Sequence, residues 1–209
     1  MTTPEAALRT TWRQVAPDGH EGHLDGLLSR LREPHRRYHT ATHVMWVLRH
    51  ADELLAEPTH ADVDGDTVRL AALYHDAVYD PRRTDNEAVS AALAADVAAA
   101  LGWDAARCDA VHRLVMATAG HSPATPDEAV LVDADLAVLG SEPKDYSAYV
   151  TGVRGEYSHV PDEAWRTGRA EVLRRFLDVP RLYTTDWMFQ RRERRAKANL
   201  AAELASLRG

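Results

Sequence analysis

Two short stretches of the sequence carry histidine and aspartate side chains of the types that bind metal ions. The stretch RRYHTATHVMWVL contains His39 and His43, and the stretch LAALYHDAVYD contains the adjacent pair His75 and Asp76. Imidazole nitrogen and carboxylate oxygen suit Zn²⁺, Mn²⁺, iron and, with more oxygen ligands, Mg²⁺. The two stretches therefore raise the hypothesis that one divalent ion lies between two helices.

The pair His75 and Asp76 lies in an apolar stretch, where a buried carboxylate needs a partner. Adjacent residues of a helix point about 100° apart, so both side chains can lean toward one ion. A cation would offset the cost of burying the carboxylate. A hydrogen-bonded core histidine beside a surface aspartate is the ordinary alternative for such a dipeptide.

The four-residue spacing of His39 and His43 places both on one face if the helix includes both of them. His43 has Val47 one turn further on and is expected to point inward. If Thr40 or Thr42 caps the helix, His39 precedes it and projects differently. One packing histidine and one surface histidine is the alternative for this pair.

A further acidic pair occurs in the apolar stretch VLVDADLAVLG. Asp135 has leucines and valines three and four positions away, whereas the neighbours of Asp133 are mostly smaller. We therefore expect Asp135 to be the more deeply embedded carboxylate, and an uncompensated carboxylate in such a run is costly. The alternative, an aspartate pair in a first helical turn, is weaker because the helix is expected to start near Asp127.

The hydrophobic pattern is helical throughout and predicts one all-α domain over residues 1–209. Its core is expected at about 25–140, with a C-terminal helical layer at about 141–207. Thr84 to Glu87 and Thr125 to Glu128 fit the capping-box pattern. The predicted helices are 4–16, 21–33, 40–56, 66–79, 85–101, 104–119, 127–139, 143–158, 161–178 and 190–207, with strand-like alternation only around 182–189.

The composition excludes several classes of protein. The net charge of −7 does not favour binding to a nucleic acid polymer. The single cysteine, Cys108, permits neither a disulfide within the chain nor a cysteine-based zinc site, and it favours a reducing compartment. The first residues lack a signal-peptide pattern, and no apolar run approaches the length of a membrane span. We therefore expect a cytoplasmic protein with no membrane partner. A homo-oligomer is compatible with the sequence.

The ordered set of motifs resembles the HD-domain superfamily of metal-dependent phosphohydrolases. The segments YHTATHV, HDAVYDPRRTDNEAVSAALA, ATAGHSP, DADLAVLG and RAKANLAAEL together resemble an uncharacterised bacterial branch of predicted HD phosphohydrolases, over roughly residues 25–205. This resemblance implies an HD-type helical bundle with additional C-terminal helices. It also implies one or two divalent ions, which could be Mn, Fe, Zn, Co, Ni or Mg.

The resemblance assigns roles residue by residue. The implied metal ligands are His43, His75, Asp76 and Asp135. His121 follows Gly120 where several branches place a histidine for a second metal or for the substrate phosphate, and Asp133 belongs to the same possible site. The YHxxxH pattern also resembles the start of the cyclic-nucleotide phosphodiesterase site, which makes His39 a proton donor to the leaving oxygen. Asp76 would also orient water, and Glu87 would face the site as a catalytic base or as a group that supports the metal ligands.

The substrate implied by this chemistry is a small phosphorylated molecule, for which a nucleotide is the leading class. Its phosphate needs cationic donors, and the arginines that flank the two motifs are the candidates: Arg36, Arg37, Arg82 and Arg83. Solvated charges at helix ends are the alternative for each of them. A di-iron oxygenase and a non-catalytic nucleotide-sensing or interaction module are the competing functions.

Overall fold

The computed structural model describes residues 2–207, and ten α-helices form its framework. They are α1 Pro4–Val15, α2 Glu21–Leu31, α3 Ala41–Leu55, α4 Gly65–Tyr74, α5 Asn86–Ala100, α6 Ala105–Gly120, α7 Pro126–Asp135, α8 Pro143–Glu156, α9 Asp162–Asp178 and α10 Asp186–Ser206. Short 3-10 segments cover Pro58–His60 and Leu136–Gly140. The predicted all-α class is confirmed, and no strand occurs within residues 2–207, including the stretch 182–189.

Three helix boundaries differ from the sequence prediction by more than two residues. Helix α4 ends at Tyr74 instead of near residue 79, so the His–Asp pair follows the helix. Helix α7 ends at Asp135, where a 3-10 segment continues the chain. Helix α10 begins at Asp186, because the side chain of Thr185 accepts a hydrogen bond from the backbone amide of Met188.

One of the two predicted capping boxes is wrong. Helix α5 has Asp85 at its N-cap, and neither Thr84 nor Glu87 supplies a side-chain cap. In the second predicted capping box, Thr125 to Glu128, the side chain of Glu128 accepts a hydrogen bond from a backbone amide near the start of the helix. The donor is the amide of Ala124, at 2.7 Å, instead of the amide of Thr125.

The chain divides into two compact units, residues 1–135 and 136–209. In the first unit, α4 is the central helix, since it packs against α1, α3, α5, α6 and α7. It is buried on every side from Leu70 to Tyr74, as expected of a helix that is apolar all round. Helix α3 packs on both α4 and α7, so the ends of these three helices can share one site.

The second unit is built on α8, α9 and α10 with the 3-10 segment Leu136–Gly140. Tyr183 donates its hydroxyl to the carbonyl of Leu136, and the Asn199 amide donates to the carbonyls of Leu139 and Ser141. A Cβ at Gly140 would lie 2.7 Å from that of Arg192, so this close approach of α10 requires glycine. These contacts hold the 3-10 segment and Ser141 against α10 and the residues just before it.

Candidate metal centre

The first turn of α3 positions His43. Thr40 caps this helix by accepting from the amide of Thr42, which leaves His39 immediately before the helix, as the capping alternative predicted. The side chain of His43 is 4% exposed and faces inward, in line with Val47 one turn further on. The four-residue spacing therefore does not make a matched pair of ligands.

The end of α4 positions His75 and Asp76. His75 is the C-cap residue and is buried, and the Asp76 side chain remains 17% exposed. Because the helix has ended, Asp76 is free of the helical i, i+4 pattern and its carboxylate turns toward His75. The predicted position within the helix 66–79 is wrong, but the predicted convergence of the two side chains is observed.

The end of α7 positions Asp135, and here the predicted order of burial is wrong. Asp133 has no exposed surface, whereas the side chain of Asp135 is 14% exposed. The residues three and four positions further on would cover Asp135 only in a continuous α-helix, but the helix ends at Asp135. The last residue of the helix thereby opens on one side toward the histidines.

Four side chains meet with separations that suit one ion. The Nε2 atom of His43 lies 3.0 Å from Nε2 of His75, 3.2 Å from Oδ2 of Asp76 and 3.2 Å from Oδ1 of Asp135. His75 Nε2 lies 3.0 Å and 3.6 Å from the same two oxygens. An ion with bonds of about 2.1 Å holds neighbouring donors about 3.0 Å apart in octahedral and about 3.4 Å apart in tetrahedral coordination. His43, His75 and Asp135 in particular could hold a metal ion.

A hydrogen bond on the far side of the His75 ring prepares it as a ligand. Its Nδ1 lies 2.9 Å from the carbonyl of Ala72 and donates to it. In the neutral ring, which is the form that binds a metal, the proton on Nδ1 leaves the lone pair of Nε2 directed at the cluster, as is common among metal-binding histidines. The donor types and their orientation therefore fit a divalent ion.

Charge favours a cation at the centre of the cluster. Burial by itself would lower the pKa of His43 and of His75, but Asp76 and Asp135 raise both pKa values. Burial would also raise the pKa of each carboxyl group, yet the histidines, among them His121 beside Asp135, hold both pKa values well below the usual range. Both carboxylates are therefore ionised, and either the protonated histidines or a metal ion balances their charge.

The segment after the His–Asp pair is held by side chains whose role was not predicted from the sequence. The backbone carbonyls of residues 76–80 each accept from a side chain outside the segment, at 2.6–3.2 Å. Arg36 bonds the first two, Ser90 the third, His35 the fourth and Asn86 the fifth. The one signal in the sequence was the four-residue spacing of Asn86 and Ser90, which places them on one face of α5.

His39 lies beside the cluster without belonging to the ion-binding set. Its ring stacks on Tyr79 at 4.0 Å and meets the ring of His43 edge-on at 5.5 Å. It is close enough to Asp76 for its charge to lower the pKa of that carboxyl group. This position suits the predicted role in proton transfer.

The predicted second site is only partly assembled. His121 Nε2 lies 3.5 Å from Oδ2 of Asp135. Asp133 precedes Asp135 by two positions, which is about 200° around the helix, so it stands on the opposite side of α7. His121 is the C-cap of α6 and has the left-handed values φ 49° and ψ 38°.

The remaining predicted residues lie in different surroundings. Glu87 is partly exposed, and its side chain makes no hydrogen bond or ion pair with residues 2–207. Arg36 is buried and its donors are occupied by backbone carbonyls, so it is a structural residue and not an accessible phosphate donor. The other three flanking arginines, Arg37, Arg82 and Arg83, are exposed, and the last pairs with Asp85 at 2.8 Å.

Comparison with known families agrees with this geometry. The family model of the HD domain matches residues 40–137, a range that includes His43, the His–Asp pair and Asp135. Residues 40–137 thus carry an HD domain, which supports the resemblance to the HD-domain superfamily that the sequence predicted. HD domains bind divalent metals and are typically metal-dependent hydrolases. Neither the curated proteins nor the solved structures gave a match.

No helix within residues 2–207 combines the length and the apolar character that crossing a membrane requires.

Proposed function

We propose that this protein is a metal-dependent phosphohydrolase that releases phosphate from, or cleaves a phosphodiester in, a small molecule of the nucleotide class. The observation that carries the proposal is the cluster of His43, His75 and Asp135 within an HD domain, with Asp76 about 3 Å from both histidines. A divalent ion held there supplies a Lewis acid for the phosphoryl oxygen and lowers the pKa of bound water.

The side chains of the chain itself have separable tasks in this reaction. Asp76 and Asp135 present ionised oxygens on the partly open side of the cluster, where water and substrate can approach. His39, stacked on Tyr79 at the edge of the cluster, donates a proton to the leaving oxygen. Arg82 is exposed beside the His–Asp motif and offers donors for the phosphate. Arg37 is exposed beside the other motif, and its Nη1 donates to the carbonyls of Pro34 and Arg36.

The proposal is tested by metal analysis followed by a screen for phosphate release. Purified protein is stripped with a chelator and reloaded separately with Mn²⁺, Co²⁺, Ni²⁺, Mg²⁺, Zn²⁺ or Fe²⁺. Nucleoside mono-, di- and triphosphates, cyclic nucleotides and other phosphoesters serve as substrates. Activity that is lost in His75→Ala supports the proposal, and no hydrolysis with any of the metals overturns it.

A di-iron oxygenase is the second candidate, favoured by the imidazole of His121 next to Asp135. Two iron ions per chain together with substrate-dependent oxygen consumption would establish it in place of the hydrolase. If His75→Ala changes neither ligand affinity nor any activity, the chain is a non-catalytic module.

A further inference from the structure

Arg36 connects the two segments that carry the candidate site. Its Nη1 donates to the carbonyl of His39 at 3.1 Å and to that of Asp76 at 2.8 Å, and its Nη2 donates to the carbonyl of Ala77 at 3.1 Å. Its Nε donates to Glu33 Oε2 at 3.1 Å. The side chain of Arg36 is fully buried, so water does not compete for these donors.

The carbonyls that Arg36 binds have no helical donors. Helix α4 ends at Tyr74, and the backbone of Asp76 and Ala77 continues as a turn beyond it. A buried carbonyl left without a donor costs about 1–3 kcal/mol, so a donor from elsewhere is required here. A cation also suits the negative end of the helix dipole at this position.

The planar fork of arginine explains why this residue type is needed. A guanidinium directs several N–H groups in fixed directions, and here they reach carbonyls of two segments that are about forty residues apart in the sequence. Lysine carries the same charge, but its single nitrogen cannot reproduce this arrangement. The bond to Asp76 therefore fixes the backbone of a metal-binding residue relative to that of His39.

We propose that Arg36 is a positioning residue of the metal centre, which holds Asp76 and the segment of His39 in the register that metal binding and proton transfer require. The part about His39 rests on the proposed function, whereas the part about metal binding does not. Groups that orient a ligand from outside the coordination sphere typically change metal affinity about 10- to 100-fold when they are mutated.

The chain contains a second buried arginine that serves as a matched control. Arg169 donates to Glu203 at 2.7 Å and to the hydroxyl of Tyr149 at 3.1 Å, within the unit of residues 136–209. Its side chain is 7% exposed. Replacing it also removes a buried cation, but it touches none of the candidate metal ligands.

The experiment measures binding of Mn²⁺ alone by isothermal titration calorimetry for wild type, Arg36→Met, Arg36→Lys and Arg169→Met. Circular dichroism establishes the folded fraction of each variant. We expect Arg36→Met to raise the Kd about 10- to 100-fold and Arg36→Lys to raise it less, by about threefold or more. Arg169→Met should leave the Kd of the folded protein unchanged while its urea midpoint falls.

If Arg36→Met does not fold, Arg36→Lys decides alone. If Arg36→Lys binds Mn²⁺ with the same Kd as the wild type, the proposal is overturned. An equal loss of affinity in Arg169→Met also overturns it, since general destabilisation would then explain the effect. A wild-type protein that binds no Mn²⁺ overturns it as well. The calorimetry contains no phosphoester, so it tests metal binding alone. The hydrolase proposal is tested separately, by the phosphate-release screen.

Discussion

The Nε2 atoms of His43 and His75 face each other at 3.0 Å. Since the Nδ1 proton of His75 is directed at Ala72, its Nε2 presents a lone pair to the other ring when His75 is neutral. Two imidazole nitrogens at this distance need a proton or a metal ion between or beside them. The ionised carboxylates of Asp76 and Asp135 next to both rings favour positive charge at this point, which either species supplies.

Removing one of these imidazoles should abolish stabilisation by metal. We expect Mn²⁺ at a hundredfold excess over its Kd to stabilise the wild-type fold by about 2.7 kcal/mol, because it binds only the folded chain. His75→Ala should lose this shift. Thermal unfolding with Mn²⁺ and with a chelator measures the difference.

A buried histidine outside the cluster provides the control for that experiment. His60 donates through Nδ1 to the carbonyl of Leu54 and lies outside the candidate site. His60→Ala should be less stable than wild type and should still gain stability from Mn²⁺. An undiminished metal shift in His75→Ala would exclude this histidine as a ligand.

Replacing His39 should separate catalysis from metal binding. In His39→Gln we expect kcat to fall about 10²- to 10⁴-fold, which is the usual contribution of a positioned general acid. Mn²⁺ affinity should stay at its wild-type value, since the ring lies at the edge of the cluster. Phosphate-release kinetics and calorimetry measure the two quantities.

His50→Gln is the matched control for His39→Gln. His50 is buried, pairs with Glu53 and stacks on Trp46, away from the cluster. The variant His50→Gln should leave kcat unchanged. An equal loss of metal affinity and of kcat in His39→Gln would show that His39 acts through the metal and is not the proton donor.

The candidate metal ligands could be predicted from the sequence because each of them is recognisable from its own neighbours in the chain. A histidine on an inward helix face, a His–Asp pair and an aspartate in an apolar run each need a partner, and the structure brings His43, His75, Asp76 and Asp135 together. What decides how they meet is the termination of α4 at Tyr74. No glycine or proline ends this helix, and the donors that hold the chain beyond it come from distant positions.

Removing the hydroxyl of Ser90 should destabilise the segment after the His–Asp pair. This hydroxyl accepts from the amide of Val78 at 3.0 Å and donates to its carbonyl at 3.2 Å, in a fully buried position. Ser90→Ala leaves both groups unpaired, and we expect a loss of about 1–3 kcal/mol in the free energy of unfolding. Urea denaturation measures it, with the exposed Ser29→Ala as control. Equal stability of the two variants would contradict this account.

The left-handed backbone at His121 should be strained for any residue with a Cβ. Its φ is 49°, and glycine adopts this conformation more readily than other residues. Comparing His121→Gly with His121→Ala isolates the backbone, since both lack the imidazole beside Asp135. We expect the glycine variant to be the more stable by about 1 kcal/mol in urea denaturation. An alanine variant of equal stability would show that the chain relaxes away from this conformation.

Because of Asp64, the stability of the first unit should decrease as the pH falls through the acid range. It caps α4 by accepting from the amides of Asp66 and Thr67, and it pairs with Arg107 at 2.8 Å. Partial burial raises the pKa of this carboxyl group, but the hydrogen bonds from Thr67 and Arg107 outweigh burial and lower it below the ordinary value. A carboxyl group whose pKa is lower in the folded state stabilises the fold above its unfolded pKa, near 3.9.

This contribution should disappear as the pH falls below that unfolded value and through the lowered folded pKa. Asp64→Asn keeps a side-chain oxygen for the cap but removes the charge, so we expect it to cost less than about 1 kcal/mol at pH 7. Below the lowered folded pKa, the wild type and the variant should converge. Urea denaturation across this range measures the difference, with Asp18→Asn, an exposed carboxylate between α1 and α2, as control. A difference between wild type and Asp64→Asn that does not change with pH would mean that Asp64 acts as a cap only and that its charge contributes nothing.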